Sequence, residues 1–158
     1  VRCVMVSHGG FPNIDIIGET TGGLIEPASL NYNIVTRLLR EELGYKHLVV
    51  TDDLEMGAIA RHCEIEDAVV RATLAGEDMC LICATPDTIK RGYDGLLAAA
   101  KSGALPEARI KQSLERIART KTIMEPPQPR DLDRFKLLAD EILKLNSKLN
   151  YTYGGTVK

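Results

Sequence analysis

The stretch His47-Leu48-Val49-Val50-Thr51-Asp52-Asp53-Leu54-Glu55-Met56 decides the fold of this chain. A short apolar, β-branched run begins just after a helix-ending Gly44 and stops at two adjacent carboxylates. Such a run is typical of a strand buried on both faces of a parallel sheet. Ligands bind at the carboxyl ends of these strands in open α/β sheets and in (β/α)₈ barrels. One of Asp52 and Asp53 is expected to cap the following turn, because Asp is a favoured N-cap residue, and the other is then free for chemistry.

Two further segments show the same order of a strand followed by a helix. Residues 1–8 are almost continuously apolar and end at His8, and residues 78–84 are apolar on both alternate faces. Three such units with right-handed crossovers predict an α/β fold with a parallel sheet covered by helices. A complete barrel usually takes about 250 residues. The 158 residues therefore form either a small open α/β sheet or the later part of a barrel.

Capping residues, glycines and prolines mark the predicted helices. Ser29 is expected to cap a helix that ends at Gly44 and whose apolar positions follow a 3.6-residue period, namely Leu30, Ile34, Leu38, Leu39 and Leu43. The other predicted elements are a short helical turn at 54–61, a helix from Ile65 closed by Gly76, one from Pro86 to Lys101, one opened by Pro106 and one capped by Asp131. A Pro-rich break divides the chain into a domain at 1–125, a C-terminal helix at 126–150 and a tail at 151–158.

The composition restricts the possible partners. The chain has 20 basic and 22 acidic residues, so it presents no net field that would attract nucleic acid or an anionic membrane. It contains no apolar run long enough to cross a bilayer. The four cysteines, Cys3, Cys63, Cys80 and Cys83, are too sparse for a disulfide scaffold and are expected to be reduced. These features favour a small neutral ligand and a cytoplasmic location, with a periplasmic or secreted location as the alternative.

A series of short motifs then resembles family 3 glycoside hydrolases, in their β-N-acetylhexosaminidase branch. The motifs are Ser7-His8 at a strand end, Phe11-Pro12-Asn13-Ile14-Asp15, Pro27-Ala28-Ser29-Leu30, Thr51-Asp52-Asp53-Leu54-Glu55-Met56, Ala75-Gly76-Glu77-Asp78-Met79 and Leu105-Pro106-Glu107-Ala108-Arg109-Ile110. Each motif is weak alone, whereas their order and spacing together are a strong signal. The resemblance covers most of the chain and corresponds to the C-terminal half of the family's catalytic barrel.

The resemblance implies a fold and a set of site residues. The three strands would be about the sixth to eighth of a (β/α)₈ barrel, followed by additional C-terminal helices. Asp52 would be the nucleophile of a retaining hydrolase that removes terminal β-linked N-acetylhexosamine, without a cofactor or metal. His8 and Met56 would contact the substrate, an N-acetylglucosamine-containing glycoside, and Asp53 would support the turn. The general acid/base of the family lies on an earlier loop, so it would belong to a missing N-terminal half of the barrel, and the 158 residues alone would be inactive.

Two other interpretations remain open from the residues alone. Adjacent acids at a strand end also occur in Mg²⁺-dependent phosphoacceptor domains, although the neighbouring strand ends here offer only His8 and Thr85. A zinc site at Cys80 and Cys83 is disfavoured, because residues three apart on a strand point to opposite faces. A non-catalytic fragment that keeps only the barrel fold is the remaining alternative.

Overall fold

The described residues contain a three-stranded parallel sheet. The computed structural model describes residues 1–12, 25–127 and 129–149. Strands β1 (Cys3–Val6), β2 (Leu48–Asp53) and β3 (Met79–Leu81) lie in the order β1-β2-β3. All pairing is parallel, with Val4 opposite Val49 and Val50 opposite Met79. The predicted α/β fold with a parallel sheet is confirmed, and the strand that ends at Asp52 and Asp53 is the middle one of the three.

In the described part of the chain, five α-helices, a 3₁₀ turn and a π-helix accompany the strands. The 3₁₀ turn is Ala28–Leu30, the π-helix is Asn33–Glu42, and the α-helices are α1 (Gly57–Ala60), α2 (Ile65–Ala75), α3 (Pro86–Ser102), α4 (Glu107–Lys121) and α5 (Leu132–Lys148). Gly76 ends α2 with φ of +127°, and the side chains of Thr85 and Asp131 cap α3 and α5. The boundaries predicted from glycine, proline and capping residues are therefore close to the observed ones.

The first long helix differs from the prediction. It is a π-helix, in which the Leu43 N–H bonds the Leu38 carbonyl five residues back at 2.9 Å. Ser29 was expected to cap it, but Ser29 is buried within the 3₁₀ turn and its hydroxyl contacts His8. The side chain of Asn31 instead accepts the N–H groups of Asn33 and Ile34, at 2.9 and 3.2 Å. An Asn side-chain oxygen serves this purpose as well as a Ser hydroxyl does.

The core lies between one face of the sheet and the helices. Its main cluster joins Leu54, Ile59, Ile65 and Val69 with two fully buried alanines of α2, Ala68 and Ala72. Helices α2 and α3 pack closely at Gly95. A Cβ atom added at this position would lie only 2.8 Å from the backbone of Glu66. A second cluster, Val35, Val49 and Ala75, holds the π-helix against β2.

The other face of the sheet is only partly covered. Met5 and Met79 are 56% and 42% exposed, and they flank Val50, which pairs with both in the register of the sheet. Neighbouring residues along β1 alternate between exposed and half-buried, as expected where only one face packs on a core. We call the side of the sheet that carries Met5, Val50 and Met79 the open face.

Contacts within the chain divide it into a unit at Val1–Met124 and a second unit that begins at Glu125. In the second unit, α5 has no buried residue, and its apolar side chains, Leu132, Phe135, Leu138, Ile142, Leu145 and Leu149, are all exposed. The predicted tail at 151–158 lies outside the described residues. Among the helices in the described part of the chain, none is long and apolar enough to cross a membrane.

Candidate active site

The carboxylates Asp52 and Asp53 end the central strand and have different surroundings. Both are partly exposed at the carboxyl edge of the sheet. Asp53 accepts the Glu55 N–H at 3.1 Å and so stabilises the turn that follows β2. Asp52 accepts the N–H of Asp53 through Oδ1 at 2.8 Å. No hydrogen bond from a described residue reaches the Oδ2 atom of Asp52.

His8 lies beside these acids and is buried. Its Nε2 is 2.9 Å from the Asp53 carbonyl oxygen, and its Nδ1 is 2.7 Å from Ser29 Oγ. A carbonyl oxygen only accepts, so Nε2 carries a proton. In the neutral imidazole, Nδ1 then accepts the Ser29 hydroxyl proton. His8 thus holds the backbone next to Asp52 and makes no hydrogen bond with the Asp52 carboxylate in this structure.

Met56 and Glu55 complete the turn after β2. Met56 is 45% exposed and precedes the first residue of α1. Glu55 Oε2 accepts the N–H groups of Cys83 and Ala84, at 3.0 and 2.6 Å, which ties this turn to the loop after β3. Hydrogen bonds from the backbone of Ala84, the Thr88 side chain and the backbone of Cys83 lower the pKa of Glu55. Glu55 is therefore an ionised carboxylate near the site.

The loop after β3 forms the third side of this edge. Cys83 is exposed there, and slight burial together with the charges of Asp53, Glu55 and Asp52 raises the pKa of its thiol. Cys80 points instead into the core, where burial raises the pKa of its thiol to about 12. Across residues 1–12, 25–127 and 129–149, no three Cys, His, Asp or Glu side chains lie close enough to hold a metal ion.

The structure thus brings the four predicted site residues, His8, Asp52, Asp53 and Met56, to one edge of the sheet. Two residues near the site were not among the predicted site residues. Ser29 contacts the buried His8 ring, and Glu55 binds the loop after β3. Glu55 belongs to the same motif as Asp52, so its position in the sequence could have identified it as a residue near the site. Residues 13–15 of the predicted Phe-Pro-Asn-Ile-Asp motif lie outside the described part of the chain.

A second polar cluster lies at the opposite, amino-terminal edge of the sheet. The side chain of Asp78 is fully buried. Its carboxylate accepts hydrogen bonds from Arg40 at 2.8 Å, Arg116 at 2.9 Å and Arg109 at 3.4 Å. It also accepts the Ser113 hydroxyl and the Val49 N–H, at 2.9 and 3.1 Å. Since β2 rises about 3.3 Å per residue, this cluster is about 13 Å along the strand from Asp53.

The side chain of Glu77 is buried next to this cluster. Its two carboxyl oxygens receive no hydrogen bond from the described residues. Burial raises its pKa to about 9, and the nearby charge of Asp78 adds to this against the opposing effect of Arg40 and Arg109. Glu77 is therefore protonated and uncharged at neutral pH.

Replacing Glu77 by Gln is expected to stabilise the protein above neutral pH. The folded state keeps a proton that an ordinary carboxyl releases near pH 4.5, so wild-type stability falls as pH rises from there towards 9. The shift corresponds to roughly 3 kcal/mol lost between acid pH and pH 7. The Gln variant mimics the protonated acid and lacks this loss. Urea unfolding at a series of pH values measures it.

The matched control for that experiment is Glu42→Gln, which removes an exposed carboxylate at the end of the π-helix. It is expected to leave the slope of stability against pH as in the wild type. An unchanged slope in Glu77→Gln as well would show that Glu77 is ionised in the folded protein.

Comparisons with known proteins show the family of this chain. The family model described as glycosyl hydrolase family 3 N terminal domain matches residues 1–120. Beta-hexosaminidase A of Pseudoalteromonas piscicida is 31% identical over 131 residues, which are 75% of this chain and 21% of that protein. A beta-hexosaminidase of Nitrosomonas eutropha is 28% identical over 145 residues, 90% of this chain and 37% of that one.

A solved structure matches in the same way. The family 3 beta-N-acetylglucosaminidase of Paenibacillus sp. str. FPU-7 superposes with a TM-score of 0.73 and 34% identity, covering 84% of this chain and 24% of that one. The present chain thus spans only about a fifth to two fifths of the length of these relatives. The family model covers most of this chain, and the chain belongs to glycoside hydrolase family 3.

Proposed function

We propose that the full-length protein hydrolyses glycosides of terminal β-linked N-acetylhexosamine, with Asp52 as the nucleophile of a retaining mechanism. The single observation that carries the proposal is the position of Asp52, at the carboxyl end of the central parallel strand with one carboxylate oxygen unbonded among the described residues. The matched beta-hexosaminidases and the matched beta-N-acetylglucosaminidase support the substrate class.

In the proposed reaction, the Asp52 carboxylate attacks the anomeric carbon as the bond to the leaving oxygen breaks. A separate acid donates a proton to that oxygen, and the product is a covalent glycosyl ester of Asp52. Water, deprotonated by the same acid/base group, then attacks the anomeric carbon and releases the sugar and the free carboxylate. The two inversions together retain the β configuration.

The described residues offer no good general acid, so we place that group in the N-terminal part of the full-length protein. A general acid needs a raised pKa, whereas that of Glu55 is lowered by backbone N–H groups. Both ring nitrogens of His8 are engaged in hydrogen bonds. His47 precedes β2 and lies at the other edge of the sheet, and His62 follows α1.

Three neighbours of Asp52 have supporting roles in this proposal. His8 fixes the peptide that follows Asp52 through the Asp53 carbonyl, and Asp53 holds the turn through the Glu55 N–H. Met56, exposed beside that turn, lines the sugar site with apolar surface.

We further propose that the three strands are about the sixth to eighth of a (β/α)₈ barrel. The exposed Met5 and Met79 support this, because the remaining strands of a barrel would cover the open face on which they lie. The missing N-terminal half of the barrel is then the partner that completes both the sheet and the active site.

Mass spectrometry of the full-length protein tests the nucleophile. An activated 5-fluoro glycoside of N-acetylglucosamine slows hydrolysis of the covalent intermediate, so the peptide that contains Asp52 is expected to gain the mass of the sugar. Label on another residue would reject Asp52. Turnover without any label would indicate that the acetamido group of the substrate acts in place of a protein nucleophile.

A further inference from the structure

A basic groove lies between the π-helix and α4, at the edge of the sheet opposite Asp52. It consists of two adjoining cavities of about 350 and 280 Å³, which share Arg40, Gln112 and Arg116 in their walls. We call it the basic groove and define it by those three residues. The hydrolysis proposed above does not use it.

The inner wall of the groove carries more positive than negative charge. Arg40, Arg109 and Arg116 all form ion pairs with one carboxylate, that of Asp78. The adjacent Glu77 is protonated and contributes no charge. The buried cluster therefore has an excess of two positive charges. Charges on the outer rim cancel one another, because Glu41 and Glu115 are matched by Lys46 and Arg119.

This excess charge is poorly solvated. The side chains of Arg40, Arg109 and Arg116 are 9%, 13% and 22% exposed. Burial is the main cause that lowers the pKa of Arg40 and of Arg109. Arg109 Nη1 has no hydrogen-bond partner in the described part of the chain. Positive charge that is withdrawn from water in this way interacts strongly with an anion that enters the groove.

Hydrogen-bond donors are also available on the groove surface. Arg116 uses Nη1 for Asp78, and no described residue accepts from its Nε or Nη2. Arg119 and Gln112 line the groove as well, and their side chains are exposed. Guanidinium groups with free donors are preferred ligands of phosphate oxygens.

We propose that the basic groove binds a phosphate group, either as inorganic phosphate or as the phosphate of a small monoester. A dianion matches the excess of two positive charges. The concave shape suits a small molecule better than a polymer, and Tyr32 and Leu74 give one cavity an apolar wall for the organic part of an ester.

Calorimetric titration of the full-length protein, at constant ionic strength, tests the proposal with inorganic phosphate and with a hexose monophosphate. Gln112→Glu introduces a negative charge into the groove and leaves every residue of the Asp78 cluster unsubstituted. It is expected to weaken binding by about tenfold. Arg119→Gln removes a guanidinium donor from the groove wall and is expected to weaken binding without lowering the melting temperature.

Ala118→Glu is the matched control, because it makes the same charge change at an exposed position of α4 outside both cavities. It is expected to leave binding unchanged. Equal weakening by Ala118→Glu and Gln112→Glu, or no saturable binding of either ligand at millimolar concentration, would overturn the proposal. Tighter binding of the hexose monophosphate would identify a monoester as the ligand, and equal binding would identify the free anion. Glycosidase activity is not part of this readout, so the two proposals fail independently.

Discussion

Asp52→Asn in the full-length protein is expected to lower kcat for an aryl β-N-acetylglucosaminide by roughly 10³-fold or more, because an amide does not attack the anomeric carbon. Substrate affinity is expected to change much less, since the side chains are nearly the same size. Steady-state kinetics gives both values. A variant with unchanged kcat would remove Asp52 from the chemistry.

Asp53→Asn is the matched control for this variant. The Asn oxygen can still accept the Glu55 N–H, so the turn after β2 is preserved. We expect kcat to fall by less than about tenfold, because the substitution only weakens the hydrogen bond that caps the turn. The same substitution at neighbouring positions thus separates a reacting carboxylate from a structural one.

Chemical rescue adds a sharper test. In Asp52→Gly the space of the carboxylate is vacant, and added azide can attack the anomeric carbon from the same side. With an activated aryl leaving group, which departs without a proton, the expected product is the α-glycosyl azide. A β-configured azide would indicate attack from the opposite side and contradict the assignment of Asp52.

The largest expected loss of stability follows from Asp78→Ala. The substitution leaves Arg40, Arg109 and Arg116 facing one another without a counter-charge and leaves the Val49 N–H unpaired. Removing one partner from a buried ionic cluster costs about 3–5 kcal/mol. Urea unfolding at neutral pH measures this loss.

Asp94→Ala is the control, because it breaks the exposed ion pair of Asp94 with Lys90 on α3. It is expected to leave the unfolding midpoint unchanged, since exposed pairs contribute little. The double variant Asp78→Ala/Arg116→Ala is expected to lose less than the sum of the single variants, because it removes part of the uncompensated charge. Equal midpoints for Asp78→Ala and Asp94→Ala would contradict a structural role of the cluster.

Features set by short stretches of sequence were predictable. The β-branched run before Asp52 predicts its strand, and Gly76, Thr85 and Asp131 predict where helices end or begin, because each acts on residues within one turn. The turn role of Asp53 was predictable for the same reason, since its partner is two residues away.

Features set by distant residues were not predictable in this way. Ser29 follows the pattern of a helix cap, but its hydroxyl contacts His8, 21 positions earlier. Asp78 reads as the start of a strand, whereas its arginine partners lie 31 to 38 positions away. The π-helix belongs to the same class, because Thr36 and Arg40 bind the Ala75 and Gly76 carbonyls, well outside the local period. Such contacts appear only when the chain is folded.

The unpaired edges of the sheet also affect how readily this chain aggregates. Strands β1 and β3 each pair on one side only among the described residues, so each presents a row of free backbone N–H and C=O groups. Unprotected strand edges next to exposed methionines are sites at which identical chains add to one another and precipitate. Expression of residues 1–158 alone would therefore favour aggregates over dispersed single chains.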